Sequence, residues 1–247
     1  MPLRSAPLPR MAGHLSFMRS QPKAIHDVRP DQLAVLGLPF EDTSAPFAGQ
    51  SLAPRALRET SVYFGWHANP QFSHPVDIDA RQDIKTDGLH ERLCDLGDIS
   101  PGSEEAVHAA LMTATCQINR AGACALLLGG SDRLSMTVQD ALQGCQTVQL
   151  GGMPSDARDF HIAPLHNGTD PTLKIDTAVH LASFSRWRDS TRPLFVRFDL
   201  SVFETSLSAL CDRPRLGGCN LDTVTQWLST LGQHRVSAIM LTGLNPT

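Results

Sequence analysis

Residues 103–128 read SEEAVHAALMTATCQINRAGACALLL, and this stretch decides the fold class. Ser103 can accept a backbone N–H as a helix N-cap, and Glu104 and Glu105 put negative charge in the first turn, where the helix dipole favours it. Val107, Leu111, Ala114 and Ile118 then recur at helical spacing on one face, and Gly122 ends the run. Ala125 to Leu128 is apolar without alternation, the pattern of a short strand covered on both faces. A helix leading directly into a doubly buried strand is the building unit of a parallel α/β sheet.

The same alternation extends outward in both directions. Leu33–Leu38 (LAVLGL), Thr147–Leu150, Leu194–Leu200 and Ser237–Leu241 read as strands. A later helix begins near Leu221, with Leu221, Val224, Leu228 and Leu231 on one face and Gly232 beyond its end. With no internal repeat and no shift in composition, the pattern predicts one α/β domain over residues 1–247. Its architecture is a three-layer α/β/α sandwich with a mainly parallel sheet. Gly65–Asp87 and Gly151–Thr172 lack periodicity, are rich in Pro, Asp, His and Gly, and read as long loops. In such sheets the loops that follow the C-terminal ends of the strands build the functional site.

Composition narrows the class. Of 247 residues, 41% are hydrophobic and 19% charged, too apolar for a disordered chain. A net charge of −4 offers no basic surface to nucleic acid or anionic lipid, and no apolar run is long enough to span a membrane. Met1–Arg19 carries Arg4, Arg10 and Arg19 without an apolar stretch, so no secretory signal is expected and the location is read as cytoplasmic. The six cysteines form no C-x-x-C pair and read as free thiols in a reducing compartment. Gly129-Gly130 lacks the G-x-x-x-x-G-K context of a phosphate loop, and no serine or cysteine stands in a G-x-S-x-G elbow. Trp66, Trp187 and Trp227 read as packing residues.

From Leu36 to Ser61 the chain reads LGLPFEDTSAPFAGQSLAPRALRETS. This resembles the opening signature of the ureohydrolase superfamily (arginase, agmatinase, guanidinobutyrase), G-V-P-F-D leading to G-P-x-A-I-R. Arg10-Met11-Ala12-Gly13 and Phe17-Met18-Arg19 are similar to an agmatinase-type leader, here residues 1–30. Asp95-Leu96-Gly97-Asp98 is similar to the D-x-G-D strand, Leu128-Gly129-Gly130-Ser131-Asp132 to L-G-G-D-H, and Phe198-Asp199-Leu200-Ser201 to F-D-I-D. Pro214 and Gly217-Gly218 fall on the family's P-G-G region without a gap, and Leu244-Asn245-Pro246 resembles the closing E-V-N-P. The resemblance runs in order over nearly the whole chain and implies the arginase-type fold. Agmatinases continue into a final helix, which would be absent here; its loss would expose apolar surface that a second chain could cover.

The family chemistry implies a stringent donor set. A guanidinium carbon is a poor electrophile, and these enzymes attack it with hydroxide held between two manganese ions. Two divalent ions about 3.5 Å apart repel by roughly 20 kcal/mol even at an effective dielectric of 20, so six carboxylate and imidazole ligands must surround them. At the matching positions this chain has Asp132 for the first His; Gly151, Met153 and Ser155 for D-x-H-x-D; and Asp199 with Ser201 for D-x-D. Arg215 stands where an acid would contact the guanidinium, and Gly243 where the closing motif has Glu. Sliding the second motif by five residues offers Asp156, Asp159 and His161, which with Asp132 and Asp199 would make a single-metal cluster. His166 or Asn167 falls on the position of a proton-shuttling His. His74 and His90 have no motif support, Asp98 reads as structural, and a buried Asp199 could equally cap backbone N–H groups.

The expectation is an agmatinase-like homologue that has lost its dimanganese centre and carries no cofactor. It would serve as a scaffold or partner of an active family member in a homo- or hetero-oligomer, with no nucleic-acid or membrane partner. The competing expectation is an active C–N (guanidino) hydrolase with a reduced manganese site. A third is a small-molecule sensor, in which Arg215 would favour an anionic ligand.

Overall fold

The computed structural model describes residues 14–43, 48–62, 76–77, 82–83, 88–151, 172–175, 191–204, 206, 210–211 and 219–247. Ten strands occur among them: β1 Gln21–Pro22, β2 Leu33–Leu38, β3 Val76–Asp77, β4 Gln82–Asp83, β5 Leu93–Asp98, β6 Cys124–Gly129, β7 Gln146–Leu150, β8 Thr172–Ile175, β9 Leu194–Asp199 and β10 Val236–Thr242. The helices are α1 Ala53–Ser61, α2 Leu89–Arg92, α3 Glu104–Arg120, α4 Ser135–Ala141 and α5 Leu221–Leu231. Eight strands form one sheet in the order β1-β5-β2-β6-β10-β9-β7-β8. Every pairing within it is parallel.

The two faces follow from the alternation of side chains along each strand. On β2 and β6, Ala34, Leu36, Leu38, Ala125 and Leu127 pack with Val107, Leu111 and Ile118 of α3 and Val138 of α4. Val35, Leu126 and Leu128 point the other way, against Leu57 of α1. Val196 and Phe198 of β9 meet Val224, Trp227 and Leu231 of α5. Ile239 and Leu241 of β10 join the clusters under α1 and α5, so those two helices share a face and α3 and α4 cover the opposite one. This is the three-layer sandwich the sequence predicts. Burial of each of the large aliphatic side chains of α3 contributes about 1.5–3 kcal/mol.

Helix starts follow their capping residues. Ser103 accepts from Ala106 N at the head of α3, and Asn220 accepts from Thr223 N at the head of α5. The inward face of α5 differs from its apolar pattern: Leu221 and Leu228 are 57% and 40% exposed, whereas Trp227 is buried. Turning the helix toward the indole buries the largest apolar surface available and leaves the two leucines outside. On α3, Thr115 joins Val107, Leu111 and Ile118 on the buried face, with Ala114 only partly covered.

Two segments read as loops contain pairing. Val76–Asp77 and Gln82–Asp83 form an antiparallel ladder inside Gly65–Asp87. Thr172, at the end of the second loop, opens β8 beside β7. Two- and four-residue strands carry too few side chains to show a period, which is why they escape pattern reading. Trp66, Trp187 and His74 lie outside the described residues. Of the six cysteines, Cys94, Cys211 and Cys219 are buried and Cys116, Cys124 and Cys145 half-buried. Burial pushes the Cys124 thiol up to about 11, with Arg92 pulling weakly in the other direction. No described helix is long and apolar enough to cross a membrane.

Candidate functional site

The inward face of β9 changes character along its length. Phe195 is fully buried in the core beneath α3 and α4. Two and four residues on, period-2 geometry puts Arg197 and Asp199 on that same face, so the strand carries a guanidinium and a carboxylate to its C-terminal end. Thr242 of β10 stands in register with Asp199. Asp132 follows β6 and opens a short 3-10 turn, Asp132–Leu134, just before α4. The ends of β6, β10 and β9, neighbours in the sheet, thus bring these four side chains to one place.

Each side chain of this cluster is engaged inside the protein, with one buried donor left over among the described residues. Arg197 donates through Nη2 to Asp132 Oδ2 in a short charge-assisted bond. The Arg197 side chain is 7% exposed and that of Asp132 33%. Burial pushes the Asp132 carboxyl above its ordinary range; Arg197 opposes this, the Asp199 carboxylate adds to it, and the Ser135 hydroxyl lowers it through a hydrogen bond. Asp199 is nearly enclosed. Its Oδ1 accepts from Ser201 N at 2.9 Å and its Oδ2 from the Thr242 hydroxyl at 2.8 Å. The exception is Arg197 Nε, a buried donor with no hydrogen-bond partner.

Two glycines show how closely backbone and carboxylate fill the neighbourhood. Gly243 adopts φ +78°, and a Cβ there would come within 2.5 Å of Asp199 Oδ1. The Asp199 carboxylate therefore occupies the space into which a Glu at 243 would grow. Gly151 adopts φ +72°, and a Cβ there would lie 2.6 Å from Val202 N and 2.7 Å from Asp199 O. An acid at 151, in the ungapped register, would collide with backbone that has nowhere to go.

These residues do not fit two divalent ions. Among the described residues only Asp132 and Asp199 supply anionic oxygen here, and a fixed guanidinium already lies on the first. No group of three or more His, Cys, Asp or Glu that could hold a metal ion occurs among the described residues. Asp156, Asp159, His161, His166, Asn167 and Arg215, like Met153 and Ser155, lie outside them. The backbone of His90 is part of α2.

Other sequence-selected acids lie elsewhere. Asp98 bonds Arg58 Nη1 at 2.5 Å, and Asp95 takes Arg58 Nε and Nη2 at 2.8 and 2.9 Å. Asp95 Oδ2 also accepts from Phe17 N at 2.7 Å, tying residues of the leader to β5. Glu41, in the P-F-E-D run, accepts from Gly49, Gln50 and Ser51 N ahead of α1. Burial opposes its charge, but those backbone bonds and the Ser51 hydroxyl prevail and hold the carboxyl below its ordinary range. Arg197 is the site residue that motif reading passed over. Its signal was present: a charge in phase with both Phe195 and Asp199, inside a strand that is apolar up to that point.

Residues 31–151 match the family model described as Arginase family. Comparison with curated protein sequences finds no match. Among solved structures, the chain is similar to a hypothetical agmatinase from Burkholderia thailandensis, with 16% identity, TM-score 0.70, and 96% of this chain and 84% of that chain covered. Proclavaminate amidino hydrolase from Streptomyces clavuligerus is 18% identical at TM-score 0.70, covering 97% and 91%. The agmatine ureohydrolase of Thermoplasma volcanium is 16% identical at TM-score 0.69, covering 96% and 88%. At these identities the structures establish a shared fold.

Proposed function

We propose, from the premise that the chain belongs to the arginase family, that it is an agmatinase-like ureohydrolase homologue without the dimanganese centre. It acts as a scaffold or partner of an active family member, within a homo- or hetero-oligomer. The observation that carries this reading is the Arg197–Asp132 ion pair at the ends of β9 and β6. Hydroxide generation between two divalent ions needs several anionic ligands converging on open coordination positions. Here two carboxylates are held by protein donors, and the nearest charge is a cation that would repel both ions.

The test is the metal content of the purified protein after incubation with manganese, read by plasma mass spectrometry. The expected result is less than about a tenth of an ion per chain. Near-stoichiometric manganese that Asp199→Ala abolishes would overturn the reading in favour of a guanidino hydrolase with a reduced metal site. Urea release would then be the next assay. As a scaffold, the protein keeps its assembly state in Asp132→Ala and Asp199→Ala, measured by light scattering after gel filtration.

A further inference from the structure

We propose that Arg197 is the resident cation of this site: its guanidinium meets the charge demand of the Asp132–Asp199 pair, and the pair holds no divalent ion while Arg197 is present. The inference deepens the metal-free reading above and rests on it.

Three observations carry the argument. First, β6 and β9 bring Asp132 and Asp199 to the same end of the parallel sheet, and two ionised carboxylates gathered there favour a positive partner. Second, Arg197 supplies it from inside the sheet, on the strand that carries Asp199, and its side chain is 7% exposed. A guanidinium so buried stays charged. Third, its Nε is buried without an acceptor among the described residues, which runs against the rule that buried donors are paired. An arginine kept for a complete hydrogen-bond network would satisfy that nitrogen, so the residue is held here by charge. Ser201 and Thr242 orient the Asp199 carboxylate and bring no charge of their own, which leaves Arg197 as the compensating cation among the described residues.

The test removes the cation and asks whether a metal can replace it. Wild-type protein should melt at the same temperature in millimolar Mn2+ and in chelator. Arg197→Ser should melt several degrees lower in chelator, and millimolar Mn2+ should recover at least half of that loss. In Arg197→Ser/Asp132→Asn the ion should have no effect. Should Arg197→Ser fail to fold, the cycle of Arg197→Met, Asp132→Asn and their combination reads the same charge balance. The double variant, which leaves Asp199 as the one remaining carboxylate of the pair, should melt above Arg197→Met. An Arg197→Ser protein that folds and ignores Mn2+, or a double variant as unstable as the summed singles, overturns the inference and leaves the metal-free reading standing. Stoichiometric Mn2+ on the wild-type protein overturns both.

Discussion

Two buried arginines meet aspartates in this molecule, and they are not alike. Arg58, on α1, has an acceptor for each of its three nitrogens, drawn from Asp95, Asp98 and the Gly97 carbonyl. Burial works against its charge, yet Asp95 and Asp98 more than compensate and raise its pKa. Among the described residues Arg197, on β9, has one bonded nitrogen, a partner that reaches solvent, and a buried Nε with no acceptor. The Arg58 cluster joins the leader, α1 and β5, where a complete network holds segments together. The Arg197 pair lies where loops leave the C-terminal ends of the central strands. Incomplete pairing there is what a site remodelled for charge would leave, whereas a cluster built for docking closes every bond.

The largest expected effect tests the closed cluster. Arg58→Ala should cost about 3–5 kcal/mol in chemical denaturation, because it leaves Asp95 charged and enclosed. A loss below that for Asp199→Ala would place the two clusters in the wrong order. Asp199→Ala should cost about 1–3 kcal/mol, since it frees the Ser201 N–H and the Thr242 hydroxyl without stranding a buried charge.

Smallest is the acid limb set by Glu41. Its folded-state pKa lies below the ordinary value of 4.5, so its contribution is fully present above that value and is lost as pH falls through the lowered one. Glu41→Gln should lower stability in the neutral range, leave the acid end almost unchanged, and so flatten this part of the profile. A steeper acid loss in the variant would reverse the assignment.

How far the sequence reaches can be judged from particular elements. The α3–β6 unit was legible because its cap, its apolar face and its stop are local: Ser103, Val107, Leu111 and Gly122 lie within one stretch of chain. β1, β3, β4 and β8 were not, since strands this short have no period and exist through their neighbours. That Gly151, Ser201 and Gly243 stand where the resemblance would place acids was legible, because ordered motifs fix which positions to compare. Arg197 was passed over because its importance depends on Asp132, 65 residues away in sequence.

What the sequence by itself determined was therefore the parallel α/β architecture, written in local spacing. Only the tertiary structure decided that Arg197 falls on Asp132, that Thr242 holds Asp199, and that Asp199 fills the space beside Gly243. Those contacts arise where strands distant in sequence end side by side. Their energies depend on burial and on the sum of nearby charges, and no local periodicity encodes either.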